Sequence, residues 1–173
     1  MMIADYNEQW KHLFQNEKTI LSQLFNEEIV AIEHVGSTAI PNQKAKPIID
    51  IFVAVNTLRD KEHYKDKLGK EYEYVETGMR GRFLFHKKQD IGEAYNVHFL
   101  PYDEEFPTRN EILFRGYLCT HPELVVEYSA IKEALMEKYG PTSDYTYGKT
   151  QFIQSVVDRA RKEKGLELRD VWE

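Results

Sequence analysis

The sequence has little cysteine, little positive charge and no long apolar run. Its single cysteine, Cys119, rules out an intramolecular disulfide and suits a reducing, cytoplasmic setting. Cys119 and His121 have no second cysteine to complete a zinc site, so Cys119 reads as a small helix residue before it reads as a nucleophile. No apolar stretch approaches the ~18 residues that cross a bilayer, so no membrane span is expected. The first eleven residues carry acids and a Trp where an export signal has a basic cap and an apolar run, so none is expected there. Lys and Arg number 23 against 29 Asp and Glu, a net charge of −6. With the signs intermixed, this argues against nonspecific nucleic-acid binding and leaves a local basic pocket as the place to hold phosphates. There is no repeat, low-complexity segment or linker, and 173 residues fit a single domain over 1–173.

Periodicity then supplies the elements. Tyr6, Trp10, Leu13, Phe14, Glu17, Ile20, Leu21, Leu24 and Phe25 recur at helical spacing and predict an amphipathic helix over about 7–26. The β-branched run at 29–32 reads as a strand. PIIDIFVAV, residues 47–55, is almost continuously apolar and reads as a central strand with one charge, Asp50, inside it. A polar helix is expected over 58–68. Strands are expected at 72–75, 82–86 and 94–100, with the glycines between them favouring antiparallel pairing. From Pro107 the chain turns helical. Pro122 fits a first helical position, Leu124, Tyr128, Ile131 and Leu135 share a face, and Gly140-Pro141 stops the helix. A last helix is expected over 147–164, with Phe152, Ile153, Val156, Val157 and Ala160 inward. Helices at both ends and strands between them give an α/β (α+β) class: a mixed β-sheet flanked by helices, with a helical C-terminal part.

Two features carry chemistry. Gly36-Ser37 follows the first strand. Gly36 permits close backbone approach, while Ser37 offers a hydroxyl and, if a helical turn begins there, amide donors for an anion. Asp50 is the sharper signal, because a buried unpaired carboxylate is costly. It must sit near an exposed strand end or meet a cation. Metal coordination satisfies both, and a salt bridge to Lys44 or Lys46 is the alternative.

The stretches Ile32-Glu-His-Val-Gly-Ser-Thr-Ala-Ile-Pro and Ala45-Lys-Pro-Ile-Ile-Asp-Ile resemble the signature of the GrpB family. So do Tyr6, Trp10 and Phe14 at the start, and Gly78, Gly81, Arg82 and Phe83 in the middle. Phe114-Arg-Gly-Tyr-Leu, His121-Pro-Glu-Leu and Tyr145 to Ile153 around Lys149 complete the match near the end. That family is grouped with polymerase-β-like nucleotidyltransferases. The resemblance implies their fold, a Gly-Ser motif holding a triphosphate, and strand carboxylates holding Mg²⁺. Active members place a second carboxylate two residues after the first, where this chain has Phe52. The counterpart of a third, from a neighbouring strand, is His98. One Mg²⁺ or none is therefore expected, since imidazole suits that ion poorly.

Further candidates follow. His98 shares a strand face with Asn96 and could act as a general base, or be a satisfied core histidine. Glu76, ending a strand, could supply a missing carboxylate to the metal. His34 is expected to brace the Gly-Ser turn. Arg82 and Lys149 could hold phosphates, or be solvated. Tyr147-Gly-Lys-Thr lacks the preceding glycine and strand of a P-loop. The expected function is nucleotidyltransferase-like: binding of a nucleoside triphosphate or another phosphorylated small molecule, with transfer to an unknown acceptor. Asp50 and His98 would be catalytic, and Gly36, Ser37, Arg82 and Lys149 would bind the nucleotide. The alternative is a non-catalytic module for a nucleotide or CoA-like ligand, since the resemblance extends to domains fused to dephospho-CoA kinase. A one-metal phosphate-ester hydrolase using His98 is a third reading.

Overall fold

The computed structural model describes residues 2–89, 92 and 94–171. Helix α1 (Gln9–Phe25) precedes strands β1 (Ile29–Val35) and β2 (Ile48–Val55), and helix α2 (Lys61–Leu68) follows. Strands β3 (Glu73–Val75), β4 (Phe83–Lys88) and β5 (Ala94–Pro101) come next. Helices α3 (Asn110–Cys119), α4 (Pro122–Tyr139), α5 (Ser143–Gly148) and α6 (Thr150–Glu163) complete the described chain. The expected strands are all present. The helical region expected from Pro107 resolves into a short 3₁₀ turn, Phe106–Thr108, and α3, and the last helix, expected from 147, begins at Thr150 after the separate short α5.

The five strands form one mixed sheet in the order β1-β2-β5-β4-β3. β2 and β5 are parallel, and the other pairs, including the expected β3-β4-β5 half, are antiparallel. Because side chains alternate across a strand, the register sorts the sheet into two faces. One face presents Ile49, Ile51, Val53, Val97, Phe99 and Phe85 to Trp10, Phe14, Leu21 and Phe25 of α1 and to Tyr64 and Leu68 of α2. This is the larger core. Ile20, placed by periodicity on the buried stripe of α1, is instead 39% exposed at its margin.

The other face is divided. At one end Val35, Phe52, Ala54 and Leu100 pack under Phe106. Beside them a second core, from α3, α4 and α6, gathers Phe114, Leu118, Leu124, Tyr128, Phe152 and Val156 around Ile40, which follows the Gly36 turn. Arg115 of α3 ties these helices to β1. Its Nη1 donates to Glu33 Oε2 at 2.8 Å and to the His34 carbonyl at 2.7 Å. Between this helical layer and the start of β2, the face is polar.

A candidate anion site on the polar face

The polar region is organised in rows. Asp50 on β2 lies beside Asn96 on β5, which lies beside His86 on β4. Asn96 Oδ1 is 2.9 Å from His86 Nδ1. An amide oxygen can only accept, so His86 donates there. The amide nitrogen of Asn96 is thereby left for Asp50, to which it hydrogen-bonds. The next row holds Phe52, His98 and Leu84. The partner of Asp50 across the strands is thus Asn96, and His98 stands beside Phe52, ring centroids 5.4 Å apart.

Gly36 explains how Asp50 is seated. Its φ of 77° and ψ of −177° fall in a region open essentially to glycine alone. A Cβ there would meet Asp50 Oδ2 at 2.4 Å. The space freed by the missing side chain is filled by the Asp50 carboxylate, so in this structure Gly36 serves Asp50 directly. The turn Ser37–Ala39 is braced as expected. Thr38 Oγ1 donates to the Ile48 carbonyl and is 2.9 Å from His34 Nε2, so the imidazole supplies the donor. His34 stacks on Phe14, and burial, with Arg115 nearby, lowers its pKa to about 4 and keeps it neutral.

Burial also governs Asp50. Desolvation outweighs its bond to Asn96 and its attraction to Lys149, and its pKa rises to about 7. The alternative ion pairs are not made. Lys44 pairs with Glu133 at 2.9 Å and Asp5 at 3.6 Å, while Lys46 lies over the Tyr145 ring at 4.2 Å.

Lys46 belongs to a group of three. Lys149, between α5 and α6, lies over the same ring at 4.8 Å. Lys132 of α4 lies over Tyr128 at 4.6 Å, and its Nζ donates to Ser37 Oγ at 2.9 Å. Desolvation lowers all three pKa values, and repulsion from Lys46 adds to the shift of both others. Lys132 falls to about 7, with Lys149 also acting on it, and Lys149 falls to about 8. None of the three makes an ion pair among the described residues. Ser37, Lys149 and Asp50 therefore share one electrostatic neighbourhood. Lys132 was not legible as a member: it sits at i+4 from Tyr128 on a stripe that otherwise reads as core. The available signal was a lysine between the buried Tyr128 and Met136.

Two expected members lie elsewhere. Glu76 is exposed beyond the edge strand β3, where it accepts from Tyr74 Oη at 3.0 Å and faces the Gly78 amide. β5 and β4 separate β3 from β2, so Glu76 is not brought to Asp50. The cause is strand order, which puts β5 rather than β3 beside β2. Arg82 is engaged: Nη1 meets Glu111 Oε2 of α3 at 2.8 Å, and its guanidinium covers the Phe52 ring at 5.6 Å. It flanks the site as a neutralised pair rather than as a free phosphate ligand. His98 carries a pKa lowered to about 4 by desolvation and Arg82, and its buried Nδ1 has no hydrogen-bond partner among the described residues. Surface depressions along Gln15, Lys18 and Ser22 of α1, and between α3 and α6 near Gly116 and Ala160, do not include Asp50.

A family model described as GrpB protein matches residues 1–159. The chain belongs to the GrpB family. It is 35% identical over 164 residues to the glutamate-rich protein GrpB of Alkalihalophilus pseudofirmus, covering 91% of this chain and 94% of that one. It is 34% identical to the UPF0157 protein YqkA of Bacillus subtilis over 92% of this chain but only 47% of that one, so it spans about half of that relative's length. The crystal structure of the conserved protein GrpB from Enterococcus faecalis superposes with a TM-score of 0.80 at 30% identity, covering 95% of this chain and 99% of that one. The Cid1 poly(U) polymerase superposes with a TM-score of 0.54 at 12% identity, over 86% of this chain and 50% of that one. The GrpB fold here is therefore the nucleotidyltransferase fold.

Proposed function

We propose that this chain binds the phosphate tail of a nucleoside triphosphate, or of a related phosphorylated small molecule, between Ser37 and Lys46, Lys132 and Lys149. The observation that carries the reading is three lysines, from three segments, gathered with no paired carboxylate among the described residues, in a chain whose net charge is −6. Such cations repel one another and lose hydration. A bound polyanion reverses both costs. The nucleotidyltransferase fold supports a nucleotide as the rest of the ligand, and nucleotidyl transfer to a hydroxyl or phosphate acceptor as the reaction.

Among the described residues no three of His, Cys, Asp and Glu cluster as a metal site. A protein-held metal pair does not fit. One Mg²⁺ carried in by the phosphates does, because that ion is commonly held by one or two carboxylates plus phosphate oxygens. Asp50 would hold it, and the ion would offset phosphate charge. His98, held neutral, would accept a hydrogen bond from the acceptor, and Lys132 and Lys149 would neutralise charge developing on the phosphates.

A non-catalytic binding module is the second reading, favoured by Phe52. That ring is 1% exposed and wedged between Arg82 and His98 where a second carboxylate would stand. Thermal-shift titration with ATP, GTP and pyrophosphate, with and without Mg²⁺, tests the shared premise, because a ligand of the folded state raises Tm. The triphosphates are expected to raise it, more so with Mg²⁺. No shift from any of the three sinks the reading. Pyrophosphate release in the presence of candidate hydroxyl acceptors then separates transferase from module.

A further inference from the structure

The Ser37–Lys132 contact is more particular than phosphate holding requires. A lysine that only attracts phosphate acts through its charge and needs no hydroxyl partner. Lys132 is 2% exposed and has no carboxylate partner among the described residues. Its Nζ is 2.9 Å from Ser37 Oγ, within proton-transfer reach. The Tyr128 ring, 4.6 Å from Nζ, holds it in that direction, and the Tyr128 hydroxyl also bonds Ser37. Ser37 itself is only half-buried. A hydroxyl, a base in hydrogen-bond reach and a third group that orients the base are what an activated serine needs.

We propose that Ser37 and Lys132 form a nucleophile–base pair, and that Ser37 takes the terminal phosphoryl group of the triphosphate bound beside it. The identity of the donor rests on the nucleotide reading above, while the pair itself does not. The terminal phosphate carries the most charge, and the lysine cluster that reaches Ser37 through Lys132 draws that end of the tail. Ser37 Oγ forms a bond to the terminal phosphorus as the bond from that phosphorus to the bridging oxygen breaks. The nucleoside diphosphate leaves with the electron pair, opposite Lys46 and Lys149. The hydroxyl proton passes to the neutral amine of Lys132, which becomes an ammonium. The environment favours the neutral amine. Lys149 from the α5–α6 junction and Lys46 from the segment before β2, both over the Tyr145 ring, act on it as cations, the Tyr128 ring lies against it, and its pKa is lowered to about 7.

The test uses the whole chain and two reagents. A fluorophosphonate offers electrophilic phosphorus without needing a nucleotide site, and ATP is labelled at either the γ or the α phosphate. Peptide mass spectrometry is expected to find fluorophosphonate on Ser37, at a rate rising with pH through about 7 as Lys132 deprotonates. Ser37→Ala abolishes it. Lys132→Arg keeps the charge but cannot serve as base, and slows it by on the order of a hundredfold. Lys132→Met, checked for folding by circular dichroism, repeats the measurement if the arginine does not fit. Label from γ-labelled but not α-labelled ATP is expected on Ser37. Fluorophosphonate labelling that is unchanged in both Lys132 variants, or that falls elsewhere, overturns the pair. ATP that raises Tm yet leaves Ser37 unmodified, or label from the α position, overturns the phosphoryl transfer. ATP that does not bind overturns the donor, and the fluorophosphonate arm still decides the pair.

Discussion

Among the described residues two lysines are almost fully buried, one under each face of the sheet, and their surroundings are opposite. Lys87 of β4, on the face covered by α1, is 7% exposed and meets Glu17 Oε2 at 3.0 Å, with the Tyr72 hydroxyl bonded to the same carboxylate. That charge is buried with its counter-charge, and the Tyr72 pKa is pushed up by burial and by the hydrogen bond to Glu17. Lys132, on the polar face, is 2% exposed; it meets the Ser37 hydroxyl and the Tyr128 ring, feels the cations Lys46 and Lys149, and makes no ion pair among the described residues. Folding alone has no use for an uncompensated buried cation. The paired lysine is architecture. On the reading proposed above, the unpaired one is balanced by a bound anion or relieved by loss of its proton.

The largest expected effect falls on the paired side. Glu17→Gln leaves buried Lys87 with only the exposed Glu71, at 3.8 Å, as a counter-ion and is expected to cost up to about 3–5 kcal/mol of stability, measured by urea denaturation. A cost below that of an ordinary surface substitution would show the pair to be dispensable. Gly36→Ala comes next. It combines a backbone conformation disfavoured for any side chain with a Cβ 2.4 Å from Asp50 Oδ2. A loss of about 1–3 kcal/mol or more is expected, and unchanged stability would mean Asp50 can be displaced freely.

On the unpaired side the asymmetry should invert. Lys132→Met removes a strained charge, so stability should hold or rise, while affinity for pyrophosphate or ATP by calorimetry falls roughly tenfold to a hundredfold. Lys149→Ala should lose affinity on the same scale. A Lys132→Met protein that unfolds while Glu17→Gln stays intact would reverse the comparison. The smallest effect is expected for Arg82→Ala. Glu111 already neutralises that guanidinium, so its removal should change affinity by less than about fivefold.

The pH dependence of stability sharpens the contrast further. Asp50 binds its proton more tightly when folded, with a pKa of about 7 against 3.8, so its contribution falls as pH rises between those values. Lys132 shifts the other way, from 10.5 to about 7, so between 7 and 10.5 the unfolded chain holds more protons and stability rises with pH. Asp50→Asn should flatten the first limb of a Tm profile and Lys132→Met the second. Identical profiles for wild type and both variants would remove the electrostatic account of the site.

The sequence by itself determined the elements and one end of the site. Hydrophobic period placed α1, α4, α6 and all five strands to within a few residues, because facing the core is a local property that repeats along the chain. Asp50 stood out for the same reason, as a charge interrupting an apolar run, and the Gly-Ser turn was legible in its own residues. Pairing was not legible. Glu17 interrupts an apolar helix stripe much as Asp50 interrupts an apolar strand, yet Glu17 meets Lys87 and Tyr72 while Asp50 meets an amide and a glycine. Glu76 and Arg82 were plausible ligands until strand order carried one to the far edge and α3 supplied Glu111 to the other. Lys132 looked like one more position on an amphipathic helix until the helical layer docked it against Ser37, 95 residues earlier in the chain. Periodicity tells which way a side chain faces, and that is decided within a few residues. Whether a buried charge finds a counter-charge depends on distances between segments remote in sequence, and only the packed structure fixes those.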